Sequence, residues 1–157
     1  MERLLGIDIG GTEVKLGVVT GEGKILESGS IPTMAADGPE TLAARVREWY
    51  DGLSGPHDGI KNAGIDCAGL IDREKGILRY SPNLEGWKEV PLGRLFSAAL
   101  GMEVILENDV NAASWGEYVL GTGRGTRTFV AITLGTGVGG GIVIDGRLYH
   151  GAQGLAG

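Results

Sequence analysis

Three short stretches hold residue types suited, in their order, to phosphate and hydroxyl chemistry. The first is Asp8-Ile9-Gly10-Gly11-Thr12-Glu13-Val14-Lys15. A tight glycine turn between two strands can point successive N–H groups into one concavity, a nest for phosphate oxygens. Thr12 adds a hydroxyl, Asp8 a carboxylate able to hold Mg²⁺ directly or through water, and Lys15 a point charge. The same residues also read as an ordinary hairpin with a Gly-Gly turn and a few solvated charges. The second stretch, Leu134-Gly135-Thr136-Gly137-Val138-Gly139-Gly140-Gly141, again lies between two apolar runs. It lacks the Gly-Lys-Ser/Thr of a Walker A loop, and a strand rather than a helix follows it, which excludes the dinucleotide fingerprint. Two strand–glycine–strand units together suggest two phosphate clamps around a nucleotide, one through Gly10, Gly11 and Thr12 and one through Gly135, Thr136, Gly137 and Gly139.

The third stretch is Glu107-Asn108-Asp109-Val110-Asn111. Asp109 follows a strand and opens a helix, which is first of all the place of an N-cap. The alternative is a strand-end carboxylate that accepts a proton from a substrate hydroxyl, with Asn108 hydrogen-bonding a neighbouring hydroxyl. Phosphoryl transfer needs such an orienting base beside Mg²⁺ and phosphate clamps.

The elements that must position these residues follow from hydrophobic spacing. Arg3–Gly10, Val14–Thr20 and Ile25–Ile31 read as a strand meander with a hairpin turn at Gly21–Lys24. Asp37 is the expected N-cap of a helix carrying Leu42, Val46 and Trp49 on one face, with Gly52 at its end. Strands are expected over Asn62–Cys67, Ile77–Tyr80 and Glu103–Leu106, and helices around Leu92–Ala99 and Asp109–Leu120. A glycine-rich stretch, 121–127, then precedes a second hairpin of Phe129–Leu134 and Gly140–Ile144, with Asp145-Gly146 as the next turn. This restart of strands predicts an N-terminal α/β lobe over 1–120, a connector over 121–127 and the start of a second lobe over 128–157.

Composition limits the partners. The 157 residues include 30 glycines, no Gly-X-Y period and a hydrophobic share of 42 %, enough to bury a core and not a collagen. The formal charge of −6 comes without a basic block, so no nucleic-acid partner is expected. Any anionic ligand must be held by local N–H geometry or a metal ion. No apolar run is long enough to span a bilayer, and no basic-then-apolar leader precedes the first motif, so a cytoplasmic protein without a membrane partner is expected. One cysteine, Cys67, reads as a buried small side chain, and His57 and His150 give little material for a metal site. Trp49, Trp87 and Trp115 read as packing residues.

Gly6–Thr12, Glu107–Ala113, Leu134–Asp145 and the tail Gly151–Gly157 resemble, in order and spacing, the ROK family of bacterial sugar kinases. The resemblance covers the whole chain. It implies an α/β chain with the actin/hexokinase-like ATPase (ribonuclease H-like) fold, binding a hexose and ATP in a cleft between two lobes. It also implies Asp109 as the base on a sugar hydroxyl, usually O6, with Asn108 and Asn83 holding other hydroxyls. Asp8 would serve Mg²⁺ and the two glycine loops the ATP phosphates. Glucose is the leading substrate, with N-acetylated hexosamines behind it, and a homo-oligomer is expected. The chain departs from the pattern at Glu13, where Lys or Asn is common, and Lys15 is read as compensating. Family members are roughly twice as long and carry a cysteine-rich zinc motif further on, so no zinc site is expected here. By the same resemblance this chain is expected to be an inactive N-terminal portion of its parent. The rival reading is the effector-binding part of a ROK transcriptional repressor, which binds sugar without chemistry and usually carries an N-terminal helix-turn-helix. Gly6 stands too close to Met1 to favour it.

Overall fold

The structure is a computed structural model and describes residues 2–54, 59–135 and 137–157; the expectations for Thr136 and His57 lie outside the described residues. The chain forms two compact units, Met1–Glu107 and Asn108–Gly157.

In the first unit, β1 (Arg3–Ile9), β2 (Glu13–Thr20) and β3 (Ile25–Pro32) form an antiparallel meander. It continues through β4 (Asn62–Cys67), parallel to β1, to β8 (Glu103–Asn108), in the order β3-β2-β1-β4-β8. Strand alternation buries one face: Leu5, Ile7 and Ile9 of β1, Val14, Leu16 and Val18 of β2, and Ala63, Ile65 and Cys67 of β4. These join one core with Leu42, Val46 and Tyr50 of α1 (Pro39–Asp51) and Leu92, Phe96 and Leu100 of α2 (Leu92–Leu100). The same alternation puts Asp8, Lys15 and Asp66 on the face opposite Ile7, Leu16 and Ile65. A second, three-stranded antiparallel sheet is built from β5 (Leu70–Asp72), β6 (Ile77–Tyr80) and β7 (Lys88–Val90). Its two short outer strands have no clear alternation signal in the sequence.

The start of α1 differs from expectation. Asp37 is not the N-cap; it ends a 3-10 turn over Ala35–Asp37. The cap is Gly38, at φ 88° and ψ 161°, a conformation that glycine reaches without a Cβ penalty, and Pro39 follows in the first turn. Gly101 ends α2 as a left-handed cap at φ 70°, its N–H donating to Ser97 O.

The second unit holds α3 (Asp109–Val119) and a hairpin of β9 (Thr128–Leu134) and β10 (Val138–Ile144), extended by β11 (Arg147–Leu148). Asp145 and Gly146, at φ 50° and 75°, make the two-residue turn between β10 and β11. Close approach of β10 to α3 depends on glycine. A Cβ on Gly139 would lie 2.7 Å from Val110 Cγ2, and one on Gly141 would lie 2.4 Å from Ser114 Cβ. Compactness therefore groups α3 with the hairpin and divides the chain after Glu107, whereas the sequence reading divides it after residue 120. Among the described residues, no helix is long and apolar enough to cross a membrane.

Candidate active site

The β1–β2 ladder ends at the pair Ile9–Val14, and Gly10-Gly11-Thr12 closes it. Gly10 N–H donates to Glu13 O at 3.1 Å. The Gly10 carbonyl accepts from Thr33 Oγ1 at 2.7 Å, and the Thr12 carbonyl accepts from Thr33 N–H at 2.9 Å. Neither Gly10 nor Gly11 sits at positive φ; what requires glycine here is space. A Cβ on Gly10 would lie 2.7 Å from Glu13 O, and one on Gly11 would lie 2.9 Å from Asn83 O and 3.1 Å from Asn83 Cβ. The turn and Asn83, read separately in the sequence, are thus in direct contact. Asn83 is held by its own turn, its N–H donating to the Oγ of the buried Ser81 at 3.2 Å.

Asp8 and Lys15 are cross-strand partners, with Lys15 Nζ 4.0 Å from Asp8 Oδ2 and side chains 70 % and 47 % exposed for Lys15 and Asp8. An ion pair so exposed contributes little to stability. The parallel register with β4 places Asp66 beside Asp8 on the other side. The sequence reading passed over Asp66, although alternation from the inward Ile65 puts it on the face of Asp8. Among the described residues, no group of three or more His, Cys, Asp or Glu forms a metal cage. An exposed carboxylate such as Asp8 fits Mg²⁺, which keeps several waters and uses one or two carboxylates plus substrate phosphates.

At the end of β8, Glu107 Oε2 takes Arg73 Nε at 3.2 Å, with the Glu107 side chain 15 % exposed. In the second unit, Asn108 is the N-cap of α3: its backbone is extended (φ −71°, ψ 144°), and Oδ1 accepts from Val110 N–H at 3.0 Å and Asn111 N–H at 3.2 Å. Asp109 therefore lies in the first helical turn and is relieved of the capping role. Its carboxylate also sits where the helix dipole favours negative charge.

The second glycine run closes the β9–β10 hairpin after the pair Leu134–Val138, with Gly135 N–H donating to Gly137 O at 2.9 Å. A Cβ on Gly135 or Gly137 meets open space, whereas Gly139 and Gly141 are small because α3 packs on them. The run thus splits into a loop and a packing face, a division the sequence does not display.

Cys67 is buried, as the sequence suggests, with Sγ 3.6 Å from Ala68 O. Trp87 is buried and donates Nε1–H to Ala35 O at 2.9 Å, and Trp49 packs against the core. Trp115 is more open, 40 % exposed, and stacks on Tyr118 at 5.4 Å between ring centroids.

The chain matches the ROK family over residues 4–157. It belongs to that family. The glucokinase of Streptomyces coelicolor is 41 % identical over 156 residues, covering 99 % of this chain and 48 % of the relative. The glucokinase of Thermotoga maritima is 42 % identical over 157 residues, covering 98 % and 48 %. The crystal structure of a ROK family glucokinase from Streptomyces griseus, in complex with glucose and AMPPNP, superposes with a TM-score of 0.84 at 38 % identity, covering 98 % of this chain and 48 % of that one. The fold is accordingly the actin/hexokinase-like ATPase fold of the ROK glucokinases. The chain spans about half the length of the curated relatives it matches.

Proposed function

We propose that this ROK chain supplies the sugar-hydroxyl base and the ATP-phosphate turns of an ATP-dependent hexose kinase, with glucose as the substrate. The observation that carries the reading is the division of labour at the start of α3. Asn108 satisfies the helix N–H groups, so the adjacent Asp109 carboxylate is not consumed as a cap. Relatives named glucokinase, and a neighbour crystallised with glucose and AMPPNP, support the substrate pair.

On this reading the Asp109 carboxylate accepts the proton of a hexose hydroxyl as its oxygen forms a bond to the γ-phosphorus, and the bond from γ-phosphorus to the bridging oxygen breaks to release ADP. Asn108, with Oδ1 committed to the helix, serves a sugar only as a donor through Nδ2, while Asn83 holds a further hydroxyl. The Gly10 N–H is donated to Glu13 O and the Gly135 N–H to Gly137 O. The following N–H groups, of Gly11 and Thr12 and of Thr136 and Gly137, take phosphate oxygens, Lys15 adds a point charge, and Gly139 acts through its packing on α3. Mg²⁺, when bound with ATP, neutralises phosphate charge, and Asp8 is the residue that would hold it, directly or through water. The kinase works in the cytoplasm, as a homo-oligomer and without a nucleic-acid partner. Sugar-dependent ADP release by the full-length protein is the test. Release with glucose and none without it is the expected result; ATP turnover indifferent to sugar, or none with any hexose, would sink the proposal.

A further inference from the structure

Thr33 stands just after β3, outside any helix or strand, yet it is fully buried at 0 % exposure. Each of its polar groups is committed. Its hydroxyl donates to Gly10 O at 2.7 Å, its N–H donates to Thr12 O at 2.9 Å, and its carbonyl accepts from Arg45 Nη2 at 2.7 Å. Arg45, on α1, also donates Nη1–H to Pro32 O at 3.0 Å. Its planar fork thus grips two consecutive main-chain carbonyls, and among the described residues it forms no ion pair.

The direction of these bonds decides what the glycine turn presents. In a planar trans peptide the carbonyl and the following N–H point in opposite directions. Drawing the Gly10 carbonyl toward the Thr33 hydroxyl therefore turns the Gly11 N–H away from Thr33. A Gly-Gly peptide unit has little steric preference of its own, because glycine populates both signs of φ. A flip of that unit would put a carbonyl oxygen where the N–H had been, and a carbonyl repels a phosphate oxygen.

We infer that Thr33, clamped by Arg45, is a positioning residue that sets the Gly10–Gly11 peptide with its N–H, not its carbonyl, toward a nucleotide phosphate. This rests on the reading of the turn as a phosphate site given under Proposed function. Neither residue touches the reacting atoms; both act through the turn.

The experiment is calorimetric titration of the full-length protein with Mg²⁺ and AMPPNP, and separately with glucose, for the parent, Thr33→Val, Thr33→Ser and Arg45→Met. Thr33→Val, which keeps the shape and removes the donor, is expected to weaken AMPPNP binding roughly tenfold. Thr33→Ser, which restores the hydroxyl, is expected to bind AMPPNP within about twofold of the parent. Arg45→Met leaves the hydroxyl unclamped and should give a smaller loss of the same kind, and it carries the test if Thr33→Val does not fold. Glucose affinity should stay level throughout. A folded Thr33→Val protein that binds AMPPNP like the parent, a loss that serine does not rescue, or an equal loss for glucose overturns the positioning role. A parent protein that fails to bind AMPPNP at all removes the phosphate reading itself, a different result from loss in the variants alone.

Discussion

On the proposed reading, Asn108 and Asp109 divide two tasks that a single side chain at the start of α3 would have to share. Because the cap is on Asn108, Asp109→Asn should lower kcat by about 10²–10⁴, the usual cost of a missing general base, with sugar affinity little changed. The melting temperature should fall only slightly, since no capping bond is lost and only the favourable charge at the helix N-terminus goes; kinetics and a thermal melt on the same preparation check both. Near-normal turnover in that variant would reduce Asp109 to a first-turn acid. Asn108→Ala is the complement. It removes the acceptor of the Val110 and Asn111 N–H groups and should cost about 1 kcal/mol of stability by denaturant unfolding, with a raised KM for the sugar. The sequence reading places the cap on Asp109, and the structure places it on Asn108, a one-residue shift of the helix start. Helix boundaries are uncertain by that amount in any pattern reading. The role of Thr33 is equally hidden in the sequence, because its partners at Gly10 and Thr12 are distant in the chain and meet it only once β2 and β3 have paired.

The glycine-rich stretches illustrate what an element adds to a motif. The run 134–141 looks uniform in sequence, yet in β10 a Cβ at Gly141 would lie 2.1 Å from Ser114 Oγ and 2.4 Å from Ser114 Cβ, while one at Gly135 meets nothing. Gly141→Ala should therefore destabilise the second unit by about 1–3 kcal/mol, the usual cost of overpacking, and Gly135→Ala should be close to neutral in the same denaturant titration. Equal stability of the two variants would contradict the packing of α3 on β10. The strands β1 to β4 and the helices α1 and α2 are legible because alternation and 3.6-residue spacing are strong there, as in Leu5-Ile7-Ile9 against Leu42-Val46. The strands β5, β7 and β11 are not, since two or three residues carry no period. In α3 the buried side chains are Asn111 and Ser114 while Trp115 and Val119 stay 40 % exposed, so apolar spacing does not mark its packed face. A local acid-sensitive feature lies at the end of α3. The Thr122 N–H and hydroxyl, at 3.0 and 3.1 Å, hold the Glu117 carboxyl below the ordinary carboxylate range against a smaller opposing effect of burial. A depressed folded-state value means the contribution is present in full above the unfolded value of about 4.3 and is lost as pH falls through the lower, folded one. Amide exchange at Thr122 should therefore rise below that range, after correction for the intrinsic rate, and Glu117→Gln should flatten the change.

At the scale of the molecule, the relatives set the question of what 157 residues can do. The chain spans about half the length of the curated glucokinases of Streptomyces coelicolor and Thermotoga maritima, and phosphoryl transfer requires groups that fix both reactants in line and exclude water. A polypeptide of these residues alone is therefore expected to show no sugar-dependent ADP release. Its second unit also carries a feature with a physical consequence of its own. Along β9 and β10, Val130, Ile132, Leu134 and Val138 are 58 %, 69 %, 82 % and 79 % exposed, an apolar set on the strands that flank the glycine loop. Strands that leave such side chains uncovered invite pairing with further strands or with a second copy. The 157-residue polypeptide should sediment as more than a monomer at micromolar concentration, and Ile132→Lys with Leu134→Lys should shift it toward the monomer without loss of helical circular dichroism. Charge at those positions removes the drive to associate while leaving the core of the first unit, built from Leu5 to Leu106, intact. A strictly monomeric parent polypeptide, or one that phosphorylates glucose as a monomer, would show that neither a further cover for this face nor the additional length of the relatives is needed.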